Sequence, residues 1–145
     1  DADGSDEIGV FRPATATFLL RFANAPGDPD LVVPYGNFGD LPVAGDWDGD
    51  GRDTIGVYRP ADHRFYLRNF NSPGPPNLIA HYGSPGDVPV VGDWNGDGLD
   101  TIGVWRPSRA SFFLKDTIAT GVADYPEIRL GNGQDRPIVG NWAFP

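Results

Sequence analysis

Several residue types are missing from this 145-residue chain or scarce in it, and each absence excludes something. There is no cysteine, so no disulfide stabilises the fold, and sulfur gives no clue to the redox compartment. No apolar run approaches the roughly 18 residues of a membrane-spanning helix, and there is no signal peptide or basic amphipathic stretch. The sequence therefore predicts no segment that crosses or lies on a membrane.

Basic residues are also few, with 11 Lys and Arg against 20 Asp and Glu, a formal net charge of -9 and a pI near 4.4. Binding to nucleic acid requires clustered positive charge, so we expect no nucleic acid partner. Methionine is absent as well, and the chain opens inside a motif that recurs later. We therefore expect a chain processed from a longer precursor, or a piece of one.

The sequence offers little to catalysis. Its two histidines, His63 and His81, lie where the other repeats carry different residues, and no serine lies in a G-x-S-x-G turn. A glycosidase-like pair of carboxylates would have to come from aspartates that loops and turns already account for. We predict that the protein is not an enzyme, and a hydrolase is the weakest hypothesis.

One acidic motif dominates what is present. It reads GDWDGDGRDTIGVYRP over residues 45–60 and GDWNGDGLDTIGVWRP over residues 92–107. A third copy is divided, because the chain opens on DADGSDEIGVFRP and closes on Gly140-Asn141-Trp142 with a short tail, residues 143–145. Alternating oxygen donors with a glycine at the sixth position are typical of loops that bind a hard cation, and calcium is the natural occupant.

The predicted calcium ligands follow from this alternation, with about one ion expected for each complete loop. They are Asp46, Asp48, Asp50, the Arg52 carbonyl and Asp53; then Asp93, Asn95, Asp97, the Leu99 carbonyl and Asp100; and, in the divided copy, Asp1, Asp3, Asp6 and Asn141. The alternative is a set of Asp/Gly turns that only add charge, but repulsion among close carboxylates is costly unless a cation offsets it. A helix-loop-helix calcium site is excluded, because its twelfth position needs Glu and here holds Val57 or Val104.

The motif recurs in units of about 47 residues, 1–47, 48–94 and 95–142, within a single repeat domain spanning residues 1–145. In the second unit we predict strands over residues 54–59, 64–69, 77–82 and 88–92, with a tight turn over residues 61–63 and no helix. One such sheet cannot bury its own faces. We therefore predict an all-β chain of three tandem four-stranded antiparallel sheets that stack like propeller blades.

The segment GDWDGDGRDTIGVYRP resembles the calcium-binding FG-GAP and VCBS-type repeats of secreted bacterial proteins, and it is similar to the calcium loops of integrin α-chain propellers. The resemblance covers all three units and implies a β-propeller, structural calcium, a secreted or cell-surface location and an adhesive role. In that family a carboxylate usually closes the loop at the ninth position. This chain has Thr54 and Thr101 there, and Glu7 in the first unit.

Three blades are too few to close a propeller. The divided motif suggests that the two ends meet, either in one chain, between two copies or with sequence outside this chain. We favour association between copies, head to tail, which would close a six-bladed ring or extend as a filament.

Two further residues recur in every unit. Arg12, Arg59 and Arg106 either grip anions or pair with a neighbouring acid or ring, and we favour pairing. Trp47, Trp94 and Trp142 are either sugar platforms or wedges between blades, and we favour wedges. Better candidates for binding a sugar or protein are aromatics outside the pattern, namely Phe38, Tyr66, Phe70 and Tyr125.

The sequence thus predicts a non-enzymatic, secreted, calcium-binding repeat protein for adhesion or extracellular structure. The alternative is a carbohydrate- or protein-binding module from a larger secreted enzyme.

Overall fold

The computed structural model describes residues 6–142 and shows an all-β architecture. Its strands are β1 (Gly9–Arg12), β2 (Thr17–Leu20), β3 (Leu31–Pro34), β4 (Leu41–Gly45), β5 (Thr54–Arg59), β6 (Arg64–Leu67), β7 (Leu78–His81), β8 (Val88–Gly92), β9 (Thr101–Arg106), β10 (Ser111–Leu114) and β11 (Ile128–Arg129). Within residues 6–142 a single 3₁₀ turn, Pro107–Arg109, lies between β9 and β10, where no helix is expected. Over residues 6–142 the structure has no helix with the length and hydropathy that a membrane crossing requires.

The strands form three antiparallel sheets, so the predicted all-β class is confirmed. The first contains β1-β2-β3, the second β4-β5-β6-β7 and the third β8-β9-β10-β11, each in this spatial order. The first sheet therefore has three strands, not the predicted four. Residues 136–140, which align with β4 and β8, form no strand.

The predicted grouping of strands was wrong. We placed residues 88–92 in the sheet of residues 54–82, but β8 pairs with β9, from Val88 opposite Trp105 to Gly92 opposite Thr101. In the same way β4 pairs with β5, from Leu41 opposite Tyr58 to Gly45 opposite Thr54. The acidic segment is consequently the hairpin loop between the first two strands of one sheet, and not a junction between two sheets.

Two of the four predicted strands keep their predicted bounds, and the other two are shorter. The bounds of β5 and β8 match the prediction, and the tight turn after β5 is confirmed by a hydrogen bond from the Asp62 N–H to the Arg59 carbonyl. The strands β6 and β7 are shorter than predicted. β6 ends at Leu67, and the guanidinium of Arg68 donates to the Pro75 carbonyl and to Ser72 Oγ in the following loop.

The sheets pack through alternate side chains of their strands. Ile55 and Val57 of β5 pack with Phe18 and Val33 of the first sheet. Tyr58 of β5 instead belongs to a cluster that includes Ile102 and Val104 of the third sheet. The second sheet is therefore covered on both faces, because successive side chains of a strand point to opposite faces.

Two of the three recurring arginines, Arg59 and Arg106, pair with acids as favoured above, whereas Arg12 forms no ion pair within residues 6–142. Arg59 donates to both carboxylate oxygens of Asp40, from Nε at 2.9 Å and Nη2 at 2.8 Å, and its guanidinium lies 4.3 Å from the centre of the Tyr66 ring. Arg106 binds Asp87 in the same bidentate way. Asp40 and Asp87 lie in the turns that lead from one sheet into the next, so each ion pair anchors such a turn.

Candidate metal site in the β4–β5 loop

The loop between β4 and β5 is folded around the carboxylate of Asp46. Asp46 Oδ1 accepts hydrogen bonds from the backbone N–H groups of Gly49 at 2.7 Å and Asp50 at 3.2 Å, and Oδ2 accepts one from Gly51 at 2.8 Å. Gly49 and Gly51 have φ of 77° and 80°, values that glycine adopts without strain. Asp46 therefore sets the shape of the loop, and the two glycines permit it.

This shape brings three of the predicted ligands together. Carboxylate oxygens of Asp46, Asp48 and Asp50 all lie within 4.8 Å of one another. Calcium binds oxygens at about 2.3–2.6 Å, so two oxygens on one ion are at most about 5 Å apart. None of the three carboxylates forms an ion pair with Lys or Arg within residues 6–142. The donor set fits a hard cation in chemistry and in spacing.

The remaining predicted ligands of this loop have other contacts. The Arg52 N–H donates to Asp50 Oδ1 at 3.0 Å, which orients that carboxylate. The Asp53 carbonyl accepts a hydrogen bond from Asn71 Nδ2 at 3.0 Å, and its carboxylate lies outside the converging set. Burial raises the pKa of Asp53, and the negative charges of Asp100 and Asp6 raise it further. Asp53 is therefore influenced by the charges of nearby acids but does not join the converging carboxylates.

The loop between β8 and β9 repeats this geometry with one carboxylate fewer. Asp93 accepts hydrogen bonds from the N–H groups of Gly96, Asp97 and Gly98, and these bonds lower its pKa, with Gly98 contributing most. Asn95 replaces the aspartate at the third position, and its amide donates to Asp97 Oδ2 at 2.9 Å. The Leu99 N–H donates to Asp97 Oδ1. The backbone is organised for a cation, but the ligand charge is lower.

Asp100 joins the two loops, a contact that the sequence reasoning missed. Its N–H donates to the Asp46 carbonyl at 2.8 Å, and its Oδ2 accepts from the Asp46 N–H at 3.0 Å. Burial raises the pKa of Asp100, and its hydrogen bond from Asp46 opposes this. The Asp100 side chain therefore contacts the loop of the preceding sheet. The signal in the sequence was its position, which aligns with Asp53 and Asp6.

The divided loop lies largely outside the described residues, as Asp1 and Asp3 belong to residues 1–5. Asp6 and Asn141 are both exposed, and the Asp6 carbonyl accepts a hydrogen bond from Asn24 Nδ2 at 2.7 Å. Whether these residues complete a third cation loop stays a prediction.

The aromatic residues and histidines fall into different environments. Trp47 is 5% exposed and belongs to the cluster between the second and third sheets, whereas Trp142 is 67% exposed. Phe38 and Phe70, outside the repeat pattern, are exposed. The rings of His63 and His81 have centres 6.4 Å apart, a pairing that the sequence reasoning did not anticipate.

No protein-family model matches this chain, and no curated protein or solved structure matches it either.

Proposed function

We propose that this chain is a non-enzymatic, calcium-binding β-propeller-type repeat protein that serves extracellular adhesion or structural assembly by associating head to tail. The proposal is supported above all by the convergence of Asp46, Asp48 and Asp50 within 4.8 Å in a loop whose backbone already holds Asp46 in place. Three carboxylates so close repel one another, and a divalent cation relieves that repulsion.

Calcium binding would stabilise the middle of the molecule. The backbone of Asp46 also holds Asp100, so ordering this loop strengthens the link between the second and third sheets. In a chain without disulfides such a link replaces a covalent one. Loops of this kind often bind in the micromolar to millimolar range, which suits the calcium-rich extracellular space and agrees with secretion.

The test removes one ligand and nothing else. The Asp48 side chain is exposed and makes no hydrogen bond among residues 6–142, so Asp48→Ala deletes a carboxylate without breaking a loop contact. We expect isothermal titration calorimetry to show loss of the tighter site. The calcium-induced rise in Tm should fall accordingly, since an ion at 100 times its Kd stabilises the folded state by about 2.7 kcal/mol.

Asp28→Ala is the matched control, because Asp28 is also an exposed aspartate but lies in the loop after β2. It should leave calcium binding and its effect on Tm unchanged. Wild-type protein whose Tm is the same in calcium and in EDTA contradicts the calcium proposal.

A second candidate is a carbohydrate- or protein-binding module. The observation in its favour is Phe38, which is 86% exposed and lies outside the repeat pattern. A glycan array with wild type and Phe38→Ala distinguishes the two: a sugar that binds wild type and not the variant favours the module.

A further inference from the structure

The first sheet has an open edge. β1 pairs with β2 on one side, from Gly9 opposite Leu20 to Arg12 opposite Thr17, and has no strand on its other side within residues 6–142. In the second and third sheets that side of the equivalent strand is occupied by β4 or β8. An unpaired strand edge presents free backbone N–H and C=O groups to a further strand.

A groove of about 540 Å³ marks the position of the missing strand. Its lining includes β1 from Ile8 to Phe11, residues 42–44 of β4, and Asp53. Its lining is mainly apolar side chains and strand backbone. The groove therefore lies beside the open edge of β1 and has the largely apolar lining expected of a site for one short β-strand.

The chain carries a segment suited to that position. Residues 136–142, RPIVGNW, align with LPVAGDW of β4 and VPVVGDW of β8. The local conformation agrees as well, because a Cβ at Gly140 would lie 3.0 Å from the Trp142 ring, as at Gly45 with Trp47 and at Gly92 with Trp94. Yet Ile138 is 74% exposed and the segment has no strand partner among the described residues.

We infer that residues 136–142 of one copy insert beside β1 of a second copy as the missing strand. This insertion rests on the proposed head-to-tail association and specifies which residues of the two copies meet. Alignment with the β4–β5 and β8–β9 pairs sets the register, with Arg136 opposite Phe11, Pro137 opposite Val10 and Ile138 opposite Gly9. Ile138 would then lie over Gly9, as Val43 lies over Gly56 and Val90 over Gly103.

The polar contacts of the second and third sheets support this register. Arg59 pairs with Asp40 and Arg106 with Asp87, whereas the aligned Arg12 is exposed and forms no ion pair within residues 6–142. The acid that aligns with Asp40 and Asp87 is Asp135, next to the inserted strand. It is already held in the same kind of turn, accepting a hydrogen bond from the Asn132 N–H at 2.8 Å.

A second contact follows from the link between loops. The Asp46 N–H donates to Asp100, so the aligned Asn141 N–H of the inserting copy is expected to donate to Asp53, which lines the groove. The predicted interface therefore joins Arg12 to Asp135 and Asp53 to Asn141 across copies. Reciprocal insertion would close a dimer of six sheets.

The test exchanges charges between copies. Arg12→Asp alone places two carboxylates against each other at the interface, and Asp135→Arg alone places two guanidinium groups there, so each variant should dimerise at least about 30-fold more weakly than wild type. An equimolar mixture of the two variants should regain the dimer, because reciprocal insertion between unlike copies gives opposite charges at both interfaces. The original Arg12 and Asp135 meet at one interface, and the two exchanged residues, Arg12→Asp and Asp135→Arg, meet at the other. The double variant Arg12→Asp/Asp135→Arg restores opposite charges at both interfaces and should dimerise as wild type does.

Arg64→Asp is the matched control, because it reverses an exposed arginine on β6 away from this edge. It should leave the mass unchanged. Sedimentation velocity gives the masses, starting from 15.6 kDa for one copy. A synthetic peptide of residues 136–142 should compete with wild-type association, and the same peptide with Ile138→Lys should not.

Two results overturn the inference: a wild-type chain that stays monomeric at all concentrations, and a double variant that associates no better than the single variants. Association of a protein that binds no calcium refutes only the calcium part of the proposed function. Calcium binding by a strict monomer refutes the strand insertion together with the head-to-tail association, whereas wild-type association that the double variant does not restore refutes the strand insertion alone.

Discussion

The second sheet and the first sheet contain nearly the same strand in opposite surroundings. Thr54-Ile-Gly-Val-Tyr-Arg of β5 corresponds to Glu7-Ile-Gly-Val-Phe-Arg, which ends in β1. Ile55 and Val57 are 2% and 0% exposed, but Ile8 and Val10 are 58% and 63% exposed. The pattern of apolar residues marks which side chains can be buried, and the presence of a neighbouring sheet and a partner strand decides whether they are.

The largest difference in the free energy of unfolding should appear when the same charge is placed in each of these two environments. Val57→Asp places an unpaired carboxylate in the core and should lower the free energy of unfolding by more than about 4 kcal/mol, enough to unfold many domains. Val10→Asp should change it by about 0.5 kcal/mol or less in monomeric protein. Urea denaturation in the Arg12→Asp background, which we expect to be monomeric, measures both. Equal losses at the two positions would show that β1 is buried in the chain itself.

A smaller effect is expected from the acids beside these strands. Asp40→Ala leaves Arg59 without its partner, and removing one member of a largely buried ion pair costs about 3 kcal/mol or more. Asp135→Ala should cost less than about 1 kcal/mol in the same monomeric background, because Asp135 is exposed there. The readout is again urea denaturation. If Asp135→Ala lowered the free energy of unfolding as much as Asp40→Ala does, the turn that holds Asp135 would be anchored within one chain as firmly as the turn of Asp40.

The smallest effect concerns the loops of the second and third sheets. Asn95→Asp gives the β8–β9 loop the third carboxylate that the β4–β5 loop has in Asp48. We expect its calcium affinity to rise by roughly 30-fold, because one more unit charge about 4 Å from a divalent ion contributes about 2 kcal/mol in water. Calorimetry on the Asp48→Ala background isolates this loop. An unchanged affinity would mean that backbone oxygens dominate the binding.

Much of the local structure could be predicted from the sequence. Apolar alternation with turn signals located β5 and β8 to the residue, since both depend on their own side chains. The clustering of Asp46, Asp48 and Asp50 was also predictable, because alternate positions of a short glycine-containing loop converge wherever the loop lies. The end of β6 at Leu67 was missed, because the length of a strand depends on backbone pairing with its neighbours, here β5 and β7, as well as on residue type.

The contacts between repeats could not be predicted in the same way. Asp53 and Asp100 stand at the same place in their repeats, yet only Asp100 meets the preceding loop within the described chain. A repeat pattern gives equivalent residues the same prediction, whereas their partners depend on what lies beside each sheet.

What the sequence determined by itself was the period, the strands and the chemistry of each acidic loop, because these depend on residues close together along the chain. The tertiary structure alone decided where one sheet ends and the next begins. A 47-residue period can be divided at any point without changing the pattern, and only the hydrogen bonds of β4 to β5 and of β8 to β9 choose the division. That choice leaves β1 with a free edge and residues 136–140 without a partner strand, because pairing depends on which backbones meet in space.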